Sequence, residues 1–356
     1  MPPVAITTID RHDERHEMDP LTQSLLGATA AQATCGRRLG RAAAAVGLVA
    51  GELADLDVLL QPLADPALPF YWHRHFTHSL FFAPVGAAIA MLPFLLSRRL
   101  REQWRWLYGA SLAAYLTHPS LDHCTTYGTY TLWPLVNARL SSDTMPIIDP
   151  VFTGLLAVVL VVAVWKRSRA TAWCGMVLAG LYLSFGVYQH ERAAVVQLEL
   201  AEARRHAVVR SRVMPLPGSL VLWRSLYEFE GEAHADLLRV PYIGMPAYLQ
   251  GESAPLWRIG QDPLAMQWSA HTREVAIAFS AFADDWVTRS NGPPHLLGDQ
   301  RISAAPGLEP LWGIEVELAD GIPRWRTPGF ESSGRRLGQL WQDTWHGDRY
   351  SPLPVR

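Results

Sequence analysis

Six stretches between Pro20 and His190 contain no Asp, Glu, Lys or Arg: Pro20 to Gly36, Ala42 to Gly51, Ser79 to Ser97, Trp106 to Leu121, Pro150 to Trp165 and Ala170 to His190. Within the fifth, Val151 to Trp165 is apolar on every side and has no face to turn to water. Most of the stretches fall a little short of the roughly 20 apolar residues that cross a bilayer perpendicularly, and any one alone reads equally well as a buried helix. Together they predict a mainly α, multi-pass membrane domain of about six hydrophobic helices over residues 18–190.

The charges between these stretches are unevenly placed. Arg37, Arg38 and Arg41 follow the first, Arg98, Arg99, Arg101 and Arg105 the third, and Lys166, Arg167 and Arg169 the fifth, while the opposite connections carry only Arg74 and Arg139. Cytoplasmic segments collect Lys and Arg, so the expectation is a bacterial inner-membrane protein whose part beyond His190 is extracytoplasmic. Residues 1–17 are charged and lack an apolar core, which reads as a flexible tail rather than a signal peptide. Residues 191–213 read as an amphipathic helical connector. From 214 to 356 short apolar runs alternate with Pro and Gly, predicting a β-rich extramembrane domain, and eight of the 14 Trp lie there.

Composition removes several function classes. A net charge of −2 offers no concentrated basic face for nucleic acid. The three cysteines, Cys35, Cys124 and Cys174, are too scattered for a disulfide framework or a thiolate zinc site.

The chemistry concentrates where the neutral stretches end. Five of the 13 histidines fall between His73 and His123, beside acidic pairs. The clusters are GELADLD (Asp55, Asp57), HRHFTHS (His73, His75, His78), THPSLDH (His118, Asp122, His123) and SSDTMPIIDP (Asp143, Asp149). Imidazole and carboxylate bind divalent cations such as Zn²⁺ or Mn²⁺, and the predicted topology puts every cluster at one membrane face. His118 and Asp122 are four apart and share a helix face, provided that the helix tolerates Pro119. Each cluster also has a plainer explanation: Asp55 and Asp57 as the polar end of a helix, Thr77 or Ser79 as a cap, His75 and His123 as bystanders. An His with an Asp bordering an apolar segment is costlier to leave unpaired, which makes His118 and Asp122 the strongest candidates.

MDPLTQSLLGA, the ADLDVL stretch, HRHFTHSL, LTHPSLDHCTTYGT and IIDPVFT occur in order from Met18 to Thr153. With these motifs the chain resembles the YdjM-like, LexA-regulated family of inner-membrane proteins described as metal-dependent hydrolases. The resemblance covers roughly Met18 to Gln189 and is loose beyond, around PLPGSLVLWR. It implies Asp55, Asp57, His73, His78, His118 and Asp122 as ligands of one or more divalent metals, Zn²⁺ ahead of Mn²⁺ or Mg²⁺. It also implies Asp149 completing the shell or acting as base, and Arg74 steadying negative charge. Gln23 stands where many members have His, and His75 where the family often has Gly. The expected function is a membrane-bound hydrolase of an ester or phosphoester, on a membrane lipid or lipid-linked substrate at the extracytoplasmic face. The competing expectations are a non-catalytic scaffold or binding protein with a structural metal, and a transporter whose His and Asp line an ion path.

Overall fold

A computed structural model describes residues 19–63, 73–290, 295–303, 307–316, 322–328 and 333–354. The tail expected at 1–17 lies outside these residues.

Helix α1 (Pro20–Leu39) starts where Asp19 accepts the Leu21 N–H and the Thr22 hydroxyl, with Pro20 in the first turn. It turns at Gly40, whose φ of 63° needs a residue without a Cβ, into α2 (Arg41–Glu52). The two helices lie backbone against backbone: a Cβ on Gly47 would meet Ala28 Cα at 2.6 Å and Gly27 O at 2.8 Å. From α2 the chain tightens into a 3₁₀ stretch, Leu53–Leu63, which carries Asp55 and Asp57. A short 3₁₀ turn, Phe76–His78, precedes α3 (Ala83–Met91), α4 (Arg98–Glu102) and α5 (Trp104–His123). Helix α5 runs through Pro119 rather than starting there, and still leaves His118 and Asp122 one turn apart and buried. Next come α6 (Pro150–Trp165) and α7 (Arg169–Ala203).

The six-crossing expectation is overturned. Among the described residues only α7 is long and apolar enough to cross a membrane, by length and composition. Freedom from charge proved a poor proxy for a spanning helix. Helix α1 buries Thr22, Gln23, Thr29 and Gln32 against its neighbours. The third neutral stretch breaks after nine helical residues, at a 3₁₀ turn containing Pro93. Helix α6 has 16 residues, about 24 Å at 1.5 Å per residue, against a hydrocarbon core of roughly 30 Å. Helices α6 and α7 do turn apolar side chains outward, with Val158, Val161, Val177 and Leu181 all more than half exposed.

The basic residues gather at one end of the bundle. Arg169 donates to Ala33 O near the end of α1, and Arg38 lies over the Trp106 ring at the start of α5. The beginning of α1, the end of α2 and the end of α5 meet at the other.

Beyond the bundle the chain is β-rich. Strands β1 (Arg210–Pro215), β2 (Leu222–Phe229), β3 (Glu232–Arg239), β4 (Ala247–Leu249) and β5 (Ser253–Pro255) form an antiparallel sheet, with β5 also pairing to β3. Glu230 and Gly231, both at positive φ, make the tight β2–β3 turn. After α8 (Ala270–Phe282) a second sheet runs β6 (Val287–Arg289), β7 (Leu296–Asp299), β8 (Gly313–Glu315), β9 (Arg324–Arg326). Helix α9 (Ser333–Trp345) leads to β10 (Ser351–Pro352), which pairs with β4.

Residues 191–203 extend α7 without a break, so the expected connector is the far end of that helix. There Gln189 donates to Leu220 O and Val240 O, and Gln197 to Leu226 O, seating α7 on the first sheet. The loop after α5 docks on both sheets: Tyr127 stacks on Trp312, next to β8, at 5.1 Å, and Arg212 of β1 in the first sheet grips Asp143 with two bonds of 2.9 and 2.8 Å.

Substituting Gly47→Val drives a branched side chain into the α1 backbone and is expected to cost about 1–3 kcal/mol. Thermal unfolding of the purified protein reads this, and an unchanged midpoint would contradict the backbone contact.

Candidate metal centre

Three local structures deliver four side chains to one buried point. The 3₁₀ stretch after α2 presents Asp55, the Phe76–His78 turn presents His78, and the last turns of α5 present His118 and Asp122. Each is at most 2% exposed. One donor atom from each lies within 4.8 Å of all the others. His78 Nε2 is 3.0 Å from Asp55 Oδ1 and 3.3 Å from Asp122 Oδ2, and His118 Nε2 is 3.2 Å and 3.7 Å from the same atoms. The two Nε2 atoms are 3.1 Å apart.

The far sides of the rings determine what the near sides offer. His118 Nδ1 is 2.6 Å from Gly51 O, an acceptor only, so this nitrogen carries the proton. His78 Nδ1 lies 3.1 Å from Thr77 Oγ1 and 3.4 Å from Asp57 Oδ2; because that hydroxyl already donates to Asp57 at 2.6 Å, the imidazole donates here as well. Both Nε2 atoms therefore turn lone pairs toward each other and toward two carboxylates. Asp55 Oδ2 and Asp122 Oδ2 have no hydrogen-bond partner among the described residues. Four electron-rich atoms this close to one another fit a divalent cation, and nitrogen with carboxylate oxygen is a donor set that zinc accepts.

The local electrostatics express the same demand for positive charge. Burial alone would raise Asp55, yet His118 and His78 hold it well below the usual carboxylate range. Burial alone would lower His78, yet the carboxylates of Asp122, Asp55 and Asp57 hold it well above the usual imidazole range.

Behind the four stands Asp57. Its Oδ1 meets His73 Nδ1 at 2.7 Å, and its Oδ2 accepts the Arg74 N–H at 3.0 Å and the Thr77 hydroxyl. Tyr115 pins the same turn from the opposite side, donating to Thr77 O at 2.6 Å. Gln23 Nε2 donates to Asp122 Oδ1 at 2.9 Å from the first turns of α1. Arg74, 2% exposed and at a φ of 61°, sets Nε 3.5 Å from Asp122 Oδ2. A bulky residue in the left-handed region costs on the order of 1–3 kcal/mol, which the contacts of Arg74 and its neighbours must offset.

Asp55, His78, His118 and Asp122 are thus brought together, and the structure does not bring every expected ligand to the same point. Asp57 and His73 sit one layer back, with His73 Nε2 buried and without a hydrogen-bond partner among the described residues. Asp149 caps α6: Oδ1 accepts from Val151 N and Phe152 N, and Oδ2 from the Tyr182 hydroxyl at 2.6 Å. With both oxygens engaged there, it is not among the four convergent donors. His75 packs on Tyr130 and Trp133. Sequence reasoning singled out Gln23 only as a departure from the family pattern and overlooked Tyr115; an amide side chain in the first turn of a neutral stretch was the available signal for Gln23.

A family model described as YdjM inner membrane protein matches residues 18–193. Over this part the chain belongs to that family, and the match includes every residue of the centre and stops within α7. No curated protein and no solved structure matches the chain.

Replacing Asp57 by Asn removes the charge that orients His73, Thr77 and His78 while leaving all four donors. Metal affinity is expected to fall about 10–100-fold. Competition with a chelator of known affinity measures it, and parent-like affinity would deny Asp57 this role.

Proposed function

We propose that this inner-membrane family member is a metal-dependent hydrolase of an ester or phosphoester carried by a membrane lipid or lipid-linked molecule. The observation that carries the proposal is the meeting of two imidazole lone pairs and two carboxylates at one buried point. Asp55, His78, His118 and Asp122 would hold the cation, zinc by preference. Such a cation supplies Lewis acidity near neutral pH.

The chain's own residues supply the rest. Arg74 lies beside Asp122 and its Nη2 has no hydrogen-bond partner among the described residues, so it can meet negative charge as it develops on the substrate. Proton transfer falls to His73 in place of Asp149. Its Nδ1 is held by Asp57 at 2.7 Å, its Nε2 has no hydrogen-bond partner among the described residues, and its ring centroid is 5.9 Å from that of His78. A carboxylate that fixes one ring nitrogen so that the other exchanges protons is the arrangement general base catalysis requires.

Orientation follows from α7. Lys166, Arg167 and Arg169 mark its starting end, which the distribution of positive charge assigns to the cytoplasm. The metal centre, at the opposite end of the bundle from Arg38 and Arg169, then works at the extracytoplasmic face.

Full burial of all four donors favours a second reading, a closed structural metal site in a scaffold or binding protein. Turnover separates the two. In detergent-purified protein the parent is expected to carry divalent metal and to hydrolyse activated phosphodiesters or carboxylic esters, with His118→Ala and Asp122→Ala losing both. His73→Gln is expected to keep the metal and lose most of the turnover, about 10²-fold or more. A metal-free parent overturns the hydrolase; metal without turnover on any ester leaves the scaffold.

A further inference from the structure

Beside the metal centre, on the side of the second sheet, lies a group of donors that the centre does not use. Arg139, in the loop after α5, has no hydrogen bond and no carboxylate partner among the described residues. Its guanidinium rests on aromatic faces, 5.5 Å from the Tyr130 ring centre and 4.8 Å from that of Phe282. Arg74 lies 5.3 Å from the Tyr127 ring centre, and Tyr127 packs 6.4 Å from Phe282, so the two arginines are joined through stacked rings. Arg74 Nη2, the Tyr127 hydroxyl and the Thr129 hydroxyl are all buried and have no hydrogen-bond partner among the described residues. Thr129 pairs through its backbone with Leu140, next to Arg139.

Buried hydroxyls are rarely left unbonded, because each costs free energy when its water is lost and nothing replaces it. An unpaired guanidinium such as that of Arg139 costs more, while Arg74 is met by Asp122 and by the Thr125 hydroxyl, which accepts from Nη1 at 3.3 Å. Arg301, the cation that the second sheet adds nearby, does not resolve this: it is satisfied by Asp299 at 2.8 Å and Asp284 at 2.8 Å. The surplus is therefore positive. Burial together with the Arg301 and Arg74 charges pulls Arg139 down to about 10, so it remains charged at neutral pH.

We propose that Arg74, Arg139, Tyr127 and Thr129 form a subsite for a phosphoryl group of the substrate. The guanidinium fork of Arg139, the remaining Nη2 of Arg74 and two hydroxyls match an anion that offers several acceptor oxygens, and they exceed what one carboxylate fills. Arg74 belongs to both sites, touching Asp122 on one side and Tyr127 on the other, so the bound phosphoryl lies next to the metal centre. Arg139 is the partly exposed member and marks the entry. That the phosphoryl belongs to the molecule being hydrolysed rests on the hydrolase reading; the anion site does not.

The test uses the full chain in detergent. Thermal midpoints are followed while inorganic phosphate is titrated against sodium chloride of equal ionic strength, and separately while phosphatidic acid replaces phosphatidylcholine in the micelles. Metal content is measured on the same samples. A saturable rise with inorganic phosphate supports the site with a soluble source, and a rise with phosphatidic acid supports it with a lipid headgroup. Arg139→Gln is expected to raise the half-saturating concentration about tenfold or more. Tyr127→Phe is expected to raise the midpoint without phosphate, by removing an unbonded hydroxyl, and to weaken the phosphate response; a merely structural tyrosine would not move these two readings in opposite directions. The proposal is overturned if neither anion gives a saturable response, or if Arg139→Gln responds as the parent does. A parent that holds metal but ignores both anions loses only the subsite, and one that binds phosphate but no metal loses only the hydrolase.

Discussion

Two imidazole lone pairs that face two buried carboxylates call for positive charge among them. Much of the helical half can be understood as the means of imposing that conflict. Gly51 O and Asp57 hold the outward nitrogens of His118 and His78, so the inward nitrogens have only lone pairs to offer. The close approach of α1 to α2 through Gly27, Gly47 and Gly51 puts both Gly51 O and Gln23 where they can act. A bulkier residue at any of these glycines would move a second-layer contact of the centre as well as a helix.

Charge is arranged in layers outward from that point. The donors are anionic or electron-rich, the next layer contains Arg74 and the Asp57–His73 pair, and beyond it Arg139 and Arg301 face the second sheet. Arg74 is the hinge of this arrangement, since its backbone N–H binds Asp57, its Nε approaches Asp122, and its plane covers Tyr127. The β-rich half reaches the same region through Trp312, Phe282 and the Arg212–Asp143 pair. It therefore borders the chemistry, although the family match ends within α7.

Residue type and spacing made part of the centre legible. His118 and Asp122, four apart in a neutral stretch, share a helix face wherever the helix goes. Asp55 and Asp57 were not separable in this way: two residues apart in a 3₁₀ stretch they point in different directions, so one enters the centre and the other supports it. Asp149 looked like a ligand from its motif, but a helix N-terminus at Val151 and Phe152 and the hydroxyl of Tyr182, 33 positions away, claim both of its oxygens. The six spans failed for a related reason, because neutral stretches rich in Ala, Gly, Thr and Gln pack against one another as readily as against lipid.

By itself the amino-acid order determined the local matters: which stretches are helical or β-rich, where basic residues collect, and which side chains have the chemistry to hold a cation. Tertiary structure decided which atom of each side chain faces inward, which carboxylate is a donor and which a support, and that two loop arginines, Arg74 and Arg139, rest on the stacked pair Tyr127 and Phe282. Those outcomes depend on contacts between residues tens of positions apart, and periodicity along a chain carries no information about them.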